Sequence, residues 1–446
     1  TNNNTDFILS NHSYGIPLLD ANNELIQESE EIGGYSLWSS LIDEITYTYP
    51  NYLHVVAGGN DGRKAYPSQS VNGLDQLTGS TTSKNALTVG SFSMDDNSEN
   101  ITPTGFSSAG PTNDFRIKPE ICAAGQNLSV ASWDKNNPEV VTSYAATSGT
   151  SFAAPGTAAA VALLQELYLQ GHNSYMRGAT AKALLCHSAD DITQWGEVDI
   201  TGPDVKTGYG AVNLDNAAAL IQKDIRENNV IVEFELNQNE TKTLYFQVLN
   251  KGTLSATLSW YDPHADKNAT NTLVNDLDLR IIQDATIYYP WKLPTDTQQV
   301  IAVLGDNSTD NLEQIKTDVN LGGVYKVEVS HKGALSNGSQ EASLIISGPG
   351  ISITTVQELE SFSKDGFLVS PIPVKAFLTI SALKNNLPFR SVRLLNLQGV
   401  EVAITKKSSF TLNSVRFDVG FLSSGSYILA IETQGGNIYK KILVNQ

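Results

Sequence analysis

Residues Ser148-Gly149-Thr150-Ser151-Phe152-Ala153-Ala154-Pro155 run directly into Gly156-Thr157-Ala158-Ala159-Ala160-Val161-Ala162-Leu163-Leu164, with no charge before Glu166. Small apolar residues at that density specify a buried helix that lets its neighbours approach closely. Pro155 is compatible, because a proline in the first turn forfeits only an N–H that has no intrahelical acceptor. Ser151 is thereby placed at a helix start. Its own N–H is free there, and the positive end of the helix dipole lies close by, where an oxyanion would be stabilised. Capping of the helix by Ser148, Thr150 and Ser151 is the plainer use of the same residues.

Other segments narrow the choice. His12-Ser13-Tyr14-Gly15 comes early, and Leu53 to Ala57 reads as an apolar strand running into the turn Gly58-Gly59-Asn60-Asp61-Gly62. Gly105 to Thr112 (GFSSAGPT), Ile117 to Gly125 (IKPEICAAG), Ala181 to Leu185 and Gly208 to Asn213 (GYGAVN) follow in order. With Gly-Thr-Ser-x-Ala-x-Pro around Ser151, the set resembles the subtilisin-like serine proteases, although Glu120 replaces the usual Asp and Ala124 the usual Pro. The resemblance implies a parallel α/β sheet with helices on both faces, Ser151 as nucleophile and Asn60 as oxyanion donor. It further implies a substrate cleft bordered by Ser13, Tyr14, Gly15, Ala57, Gly58, Gly59 and Thr150. Because no Gly-x-Ser-x-Gly elbow surrounds Ser151, an esterase-type hydrolase is disfavoured.

The family also supplies an Asp in Asp-Ser/Thr-Gly and a His in His-Gly-Thr, and neither motif occurs in the sequence. Only His12 and His54 precede Ser151; His54 falls in the strand leading to Asn60 and His12 in the substrate segment, so neither is assigned to catalysis. We therefore expect an α/β domain incomplete at its N-terminal side, with the triad Asp and His upstream of Thr1 in a longer precursor and the chain inactive in isolation. The competing expectation is a degenerate relative serving as a surface binding or adhesion module.

The formal net charge of −18 disfavours nucleic acid or an anionic membrane as partner. No apolar run reads as long enough to span a bilayer. The two cysteines, Cys122 in a strand region and Cys186 after a helix, cannot form a disulfide framework.

Past Asp224 to Asn229 the pattern changes from Ala-rich helix to short alternating strands between Asn, Gly and Asp turns, which points to a β-sandwich or jelly roll. Strands are expected at Val230–Leu236, Lys242–Val248, Ser255–Tyr261, Leu273–Ile281, Val300–Leu304, Gly323–Ser330 and Ala342–Ile346, with Trp260 in the core. Leu273 to Leu279 (LVNDLDL) is similar to a segment in the C-terminal barrels of large bacterial subtilases, which are associated with calcium. Asp262, Asp266, Asn275, Asp276 and Asp278 have the right oxygen chemistry for that ion, although Asp276 and Asp278 also alternate as the wet face of a strand.

After a linker at 351–366, the tail reads as strands again: Phe377–Ser381, Ser391–Asn396, Val400–Thr405, Ser414–Asp418, Gly425–Thr433 and Gly436–Val444. Its pattern of Ser370-Pro371-Ile372-Pro373-Val374, Leu394 to Gly399 and the closing Tyr439 to Val444 resembles the C-terminal sorting domain of type IX secretion cargo. The expected organisation is thus a subtilisin-like part at 1–228, a β-sandwich or jelly roll at 229–350, the linker, and an Ig-like sorting domain at 367–446. The resemblance implies a secreted or cell-surface endopeptidase that acts on proteins or peptides and engages the type IX machinery through its tail, with no organic cofactor.

Overall fold

A computed structural model describes residues 7–66, 69, 74–94, 101–132, 143–195, 198–199, 201–227, 230–248, 250–267, 269–295, 301–319, 324–354, 367–370, 374, 377–382, 390–402, 407–411, 414–433 and 436–445. The Pro371-Ile372-Pro373 motif and most of the expected linker lie outside the described residues.

Strands β1 (Leu9–His12), β2 (Leu53–Ala57), β3 (Leu87–Met94) and β5 (Ile121–Ala124) form a parallel sheet in the order β1-β2-β3-β5, and β4 (Ile101–Pro103) pairs antiparallel with the end of β3. All five residues of β2 are buried, so protein covers both faces there, as in parallel sheets generally. Helix α2 (Thr150–His172) lies across β1, β2, β3 and β5; α1 (Leu37–Thr48) and α3 (Gly178–Ser188) touch β2, and α4 (Leu214–Glu227) packs against α2 and α3. A hairpin of β6 (Leu128–Ser132) and β7 (Ser143–Thr147) precedes α2.

One expectation about α2 needs correction. The helix is not buried all round: Ala153, Ala154, Val161 and Leu164 face the core, while Ala159, Ala162 and Leu163 are exposed. Alanine is small enough for either environment, so its density did not reveal the wet face. At 23 residues α2 is also long and apolar enough to cross a membrane by length and composition, although half of its most apolar window is buried within the protein. The helix that is buried at every residue is α3, and Cys186 lies within it rather than after it.

Beside a short pair of 291–292 and 303–304, the following region is built on two large antiparallel sheets. One has the order 231–237, 339–347, 252–260, 312–319; the other 286–288, 276–283, 324–332, 242–248, 351–354. Leu258, Trp260, Leu277, Leu279, Ile281, Val327 and Leu344 fill the space between them. Trp260 is fully buried and its indole N–H donates to Asn275 O at 3.0 Å. Ser259 is as buried as its neighbours, because the outer face of its strand packs on α3. The last region forms two further sheets, 367–370 with 377–382, 414–418 and 407–411, and 391–395 with 425–433 and 436–444, around Leu378, Phe417, Leu429 and Ile442. Of the expected strand Val400–Thr405, residues 403–405 lie outside the described residues and Glu401 forms an isolated bridge with Leu395; strand 407–411 was not expected.

The seam between the α/β part and the first sandwich is polar and buried. The Lys84 ammonium ion-pairs with Asp262 and donates to the carbonyls of Pro263 and Thr272, each at 2.6 Å, while Asn85 Nδ2 donates to Asp262 O at 2.9 Å. Asp262 also accepts from Val274 N at 2.8 Å and Asn275 N at 2.7 Å. Glu120, the residue standing in place of Asp, lies between Lys118 and Lys182; burial raises its carboxyl, but the two ammonium groups hold it below the usual range. Those lysines give the extra methylene of Glu120 a use, since Lys182 arrives from α3 at 2.6 Å.

His187 is hydrogen-bonded on both ring nitrogens across this seam, to Thr257 Oγ1 at 2.9 Å and Ser347 Oγ at 2.7 Å. Burial, and then the charge of Lys316, push its pKa down to about 3, so the folded protein holds it neutral. The unfolded chain takes up that proton below its ordinary pKa, so the stability His187 confers is lost as pH falls from 6.5 towards 3. A His187→Gln variant carries no such linkage. The stability gap between wild type and variant is expected to shrink by about 1.4 kcal/mol per pH unit across that window. Denaturant unfolding at several pH values measures it, and a gap independent of pH would refute the assignment.

Candidate active site

Ser151 lies in the first turn of α2, half-buried, and its N–H belongs to the set of helix-start donors without an intrahelical acceptor. Its hydroxyl donates to Ser13 O at 3.3 Å, and Ser13 Oγ donates to Ser151 O at 2.8 Å. β1 itself ends at His12, so Ser13-Tyr14-Gly15 extends past the sheet rather than continuing it.

Asn60 is positioned by Thr150. Its Oδ1 accepts from Thr150 N at 2.9 Å and from Thr150 Oγ1 at 3.1 Å, and Thr150 Oγ1 in turn accepts from Gly59 N at 3.1 Å. A backbone N–H can only donate, so this bond fixes which end of the carboxamide faces α2. Nδ2, the donor, is left on the exposed side with no hydrogen-bond partner among the described residues. Thr150, expected at the border of the substrate cleft, thus holds the Asn60 carboxamide and Gly59 N. Gly59 is required by its backbone, with φ +106° and a Cβ that would stand 2.7 Å from Ser108 Oγ. Gly58 N donates to Val89 O at 2.8 Å, and Ala57 is buried at the end of β2. Thus Ser13, Asn60, Thr150 and Ser151 come together, with Tyr14 and Gly15 exposed at the rim.

The two early histidines are engaged elsewhere. Their rings stack on each other at 3.9 Å; His12 bonds through Nε2 to Ser10 Oγ and through Nδ1 to Tyr14 Oη, both at 2.6 Å, and Ser10 Oγ reaches Tyr52 Oη at 2.6 Å. Burial, and then the charges of His12 and Lys118, lower His54 to about 3. This network was not foreseen. Its signal was the alternate spacing of Ser10, His12 and Tyr14, which puts the first two on one face of β1 and the third just past its end.

The expected calcium ligands do not gather at one point. Asp262 is spent on Lys84; Asp278 pairs with Lys332 at 2.8 Å and with Arg280 at 2.7 Å, and Asp276 lies 3.5 Å from the same Lys332 ammonium. Asn275 Nδ2 donates to Gln340 Oε1 at 2.7 Å, and Asp266 O accepts from Ala269 N. Among the described residues no three His, Cys, Asp or Glu side chains are arranged to hold a metal. Chelation by EDTA is expected to leave the thermal midpoint unchanged; a loss of stability reversed by calcium would overturn that.

Residues 2–212 match the profile of the Subtilase family. Residues 2–212 form a subtilase domain. Residues 368–445 match the Secretion system C-terminal sorting domain, which marks the chain for export across the outer membrane to a secreted or cell-surface location. Among curated proteins, the subtilase region is similar to the Serine protease/ABC transporter B family protein tagA of Dictyostelium discoideum, at 28% identity over 206 residues that cover 40% of this chain and 11% of that protein. Similar solved structures include the patellamide maturation protease PatA, at 22% identity, 48% of this chain, 63% of that one and a TM-score of 0.35. A serine protease of Aeromonas sobria matches at 14% identity, 76% of this chain, 72% of that one and a TM-score of 0.34. The chain thus spans about a tenth of the curated relative's length and under two thirds of PatA.

Proposed function

We propose that the subtilase domain is the acyl-transfer half of a secreted serine endopeptidase. Ser151 Oγ attacks a peptide carbonyl and forms the acyl-enzyme; Asn60 Nδ2 and the Ser151 N–H hold the oxyanion. The observation that carries this reading is the Thr150–Asn60 pair, which turns the carboxamide donor outward beside the free N–H of the nucleophile. Asp and His of the triad are supplied by a segment upstream of Thr1, since His12 and His54 are stacked on one another and neither bonds to Ser151. A peptide lies along Ser13 to Gly15 on one side and Ala57 to Gly59 on the other, and residues 367–446 engage the type IX secretion machinery.

The test is covalent labelling with a fluorophosphonate, read by mass spectrometry at Ser151. Labelling is expected when the Asp- and His-bearing segment is joined to the chain, and not with the chain alone or with Ser151→Ala. In subtilisin, loss of the histidine costs on the order of a million-fold in turnover, a figure taken from that relative rather than from this geometry. No labelling in the joined protein would favour the catalytically inactive binding or adhesion module instead.

A further inference from the structure

A cavity of about 240 Å³ opens at the seam between the subtilase domain and the first sandwich, far in sequence from Ser151. Strand 312–319 sends Gln314, Lys316 and Asp318 to it from one face, and the facing wall is the loop Thr201-Gly202-Pro203 with Asp191, Tyr209 and Trp291.

Lys316 is unlike other lysines packed into this protein. Lys84 is paired with Asp262, Lys118 and Lys182 with Glu120, Lys326 with Glu328 and Lys332 with Asp278. The half-buried Lys316 has neither an ion pair nor a side-chain hydrogen bond among the described residues. Burial lowers its proton affinity and Asp191 partly restores it, while burial raises Asp191 and Lys316 offsets that. The two charges therefore sense each other across the cavity without meeting as an ion pair. Asp191 Oδ2 accepts from Gly202 N at 2.9 Å, and Oδ1 has no hydrogen-bond partner among the described residues. Gly202, at φ +86°, is the residue that admits the Trp291 ring, since a Cβ there would lie 2.9 Å from it. A separated cation and anion over an indole make a surface of definite chemistry. A lone anion would meet Asp191 and Asp318, and a neutral sugar would leave both charges unanswered.

We propose that this cavity binds a free α-amino acid with a large apolar side chain, its carboxylate on Lys316, its ammonium on Asp191 and its side chain against Trp291. Nothing in the construction of this site depends on the chemistry proposed for Ser151.

Isothermal calorimetry on the full chain tests this with L-leucine, N-acetyl-L-leucine, which lacks the ammonium, and L-leucine amide, which lacks the carboxylate. Leucine is expected to bind at least tenfold more tightly than either analogue. Lys316→Met should abolish the preference for leucine over its amide, and Asp191→Asn the preference over the acetylated form, with unchanged far-ultraviolet circular dichroism. Should a variant fail to fold, the three ligands on wild-type protein still decide. Equal affinity for all three, or no heat from leucine, overturns the proposal, and neither result bears on labelling of Ser151.

Discussion

Replacing Lys84 with Met is expected to destabilise the protein by about 3–5 kcal/mol, among the largest effects of any single substitution in this chain. Lys84 and Asp262 are both fully buried, and the pair is closed by four further hydrogen bonds with backbone groups on the sandwich side of the seam, at Pro263, Thr272, Val274 and Asn275. Removing the ammonium leaves the Asp262 carboxylate in low dielectric with only two N–H donors. It also orphans the carbonyls of Pro263 and Thr272. Burial already raises the Asp262 carboxyl and Lys84 is what pulls it back, so the variant should regain part of its stability as pH falls and Asp262 takes up a proton. Lys84→Met combined with Asp262→Asn should be markedly more stable than Lys84→Met alone at neutral pH. Guanidinium unfolding of the four proteins measures this; a single variant within about 1 kcal/mol of wild type would show that water reaches the pair.

Asn60→Asp is expected to lower kcat of the assembled protease by about 100–1000-fold with little change in thermal midpoint. The rate figure is the one known for loss of this donor in subtilisin, not one derived from the distances here. The separation of effects does come from the geometry. Asp keeps the oxygen that accepts Thr150 N and Thr150 Oγ1, so the start of α2 stays capped, and a negative charge there is favoured by the helix dipole. What disappears is Nδ2, replaced by an oxygen that repels the developing oxyanion. Asn60→Ala loses both, and should cost about 1 kcal/mol in stability as well as the rate. Parallel kinetics and melting curves distinguish them; a kcat near wild type for Asn60→Asp would remove Asn60 from the oxyanion site.

How much of this was legible depended on sequence distance. The strand-turn-Asn60 segment and the helix after Ser151 are local patterns, written in consecutive residues, and the structure places both as read. Strands 242–248, 414–418, 425–433 and 436–444 likewise fall at the expected residues, because alternation and flanking turns are local too. Pairing is not local. Nothing around Asp262 names Lys84, 178 residues away, as its partner, and Asp276 and Asp278 present the same face whether a calcium ion or Lys332 from another strand answers them. The orientation of Asn60 by Thr150 was hidden for the same reason, as it joins two segments 90 residues apart. Strand 312–319 was missed because Glu313, Gln314 and Lys316 read as a polar surface; Glu313 and Gln314 are buried at the seam.

That seam bears on how such a chain can change over generations. An accessory sandwich joined through a tether can be traded between proteins by recombination, since each piece satisfies its own charges. Here the Lys84 ammonium finds its hydrogen-bond partners, among the described residues, in Asp262, Pro263 and Thr272, so a crossover near Asn229 would strand a buried cation on one side and a buried carboxylate on the other. Recombination at that point would have to replace both members of the pair at once.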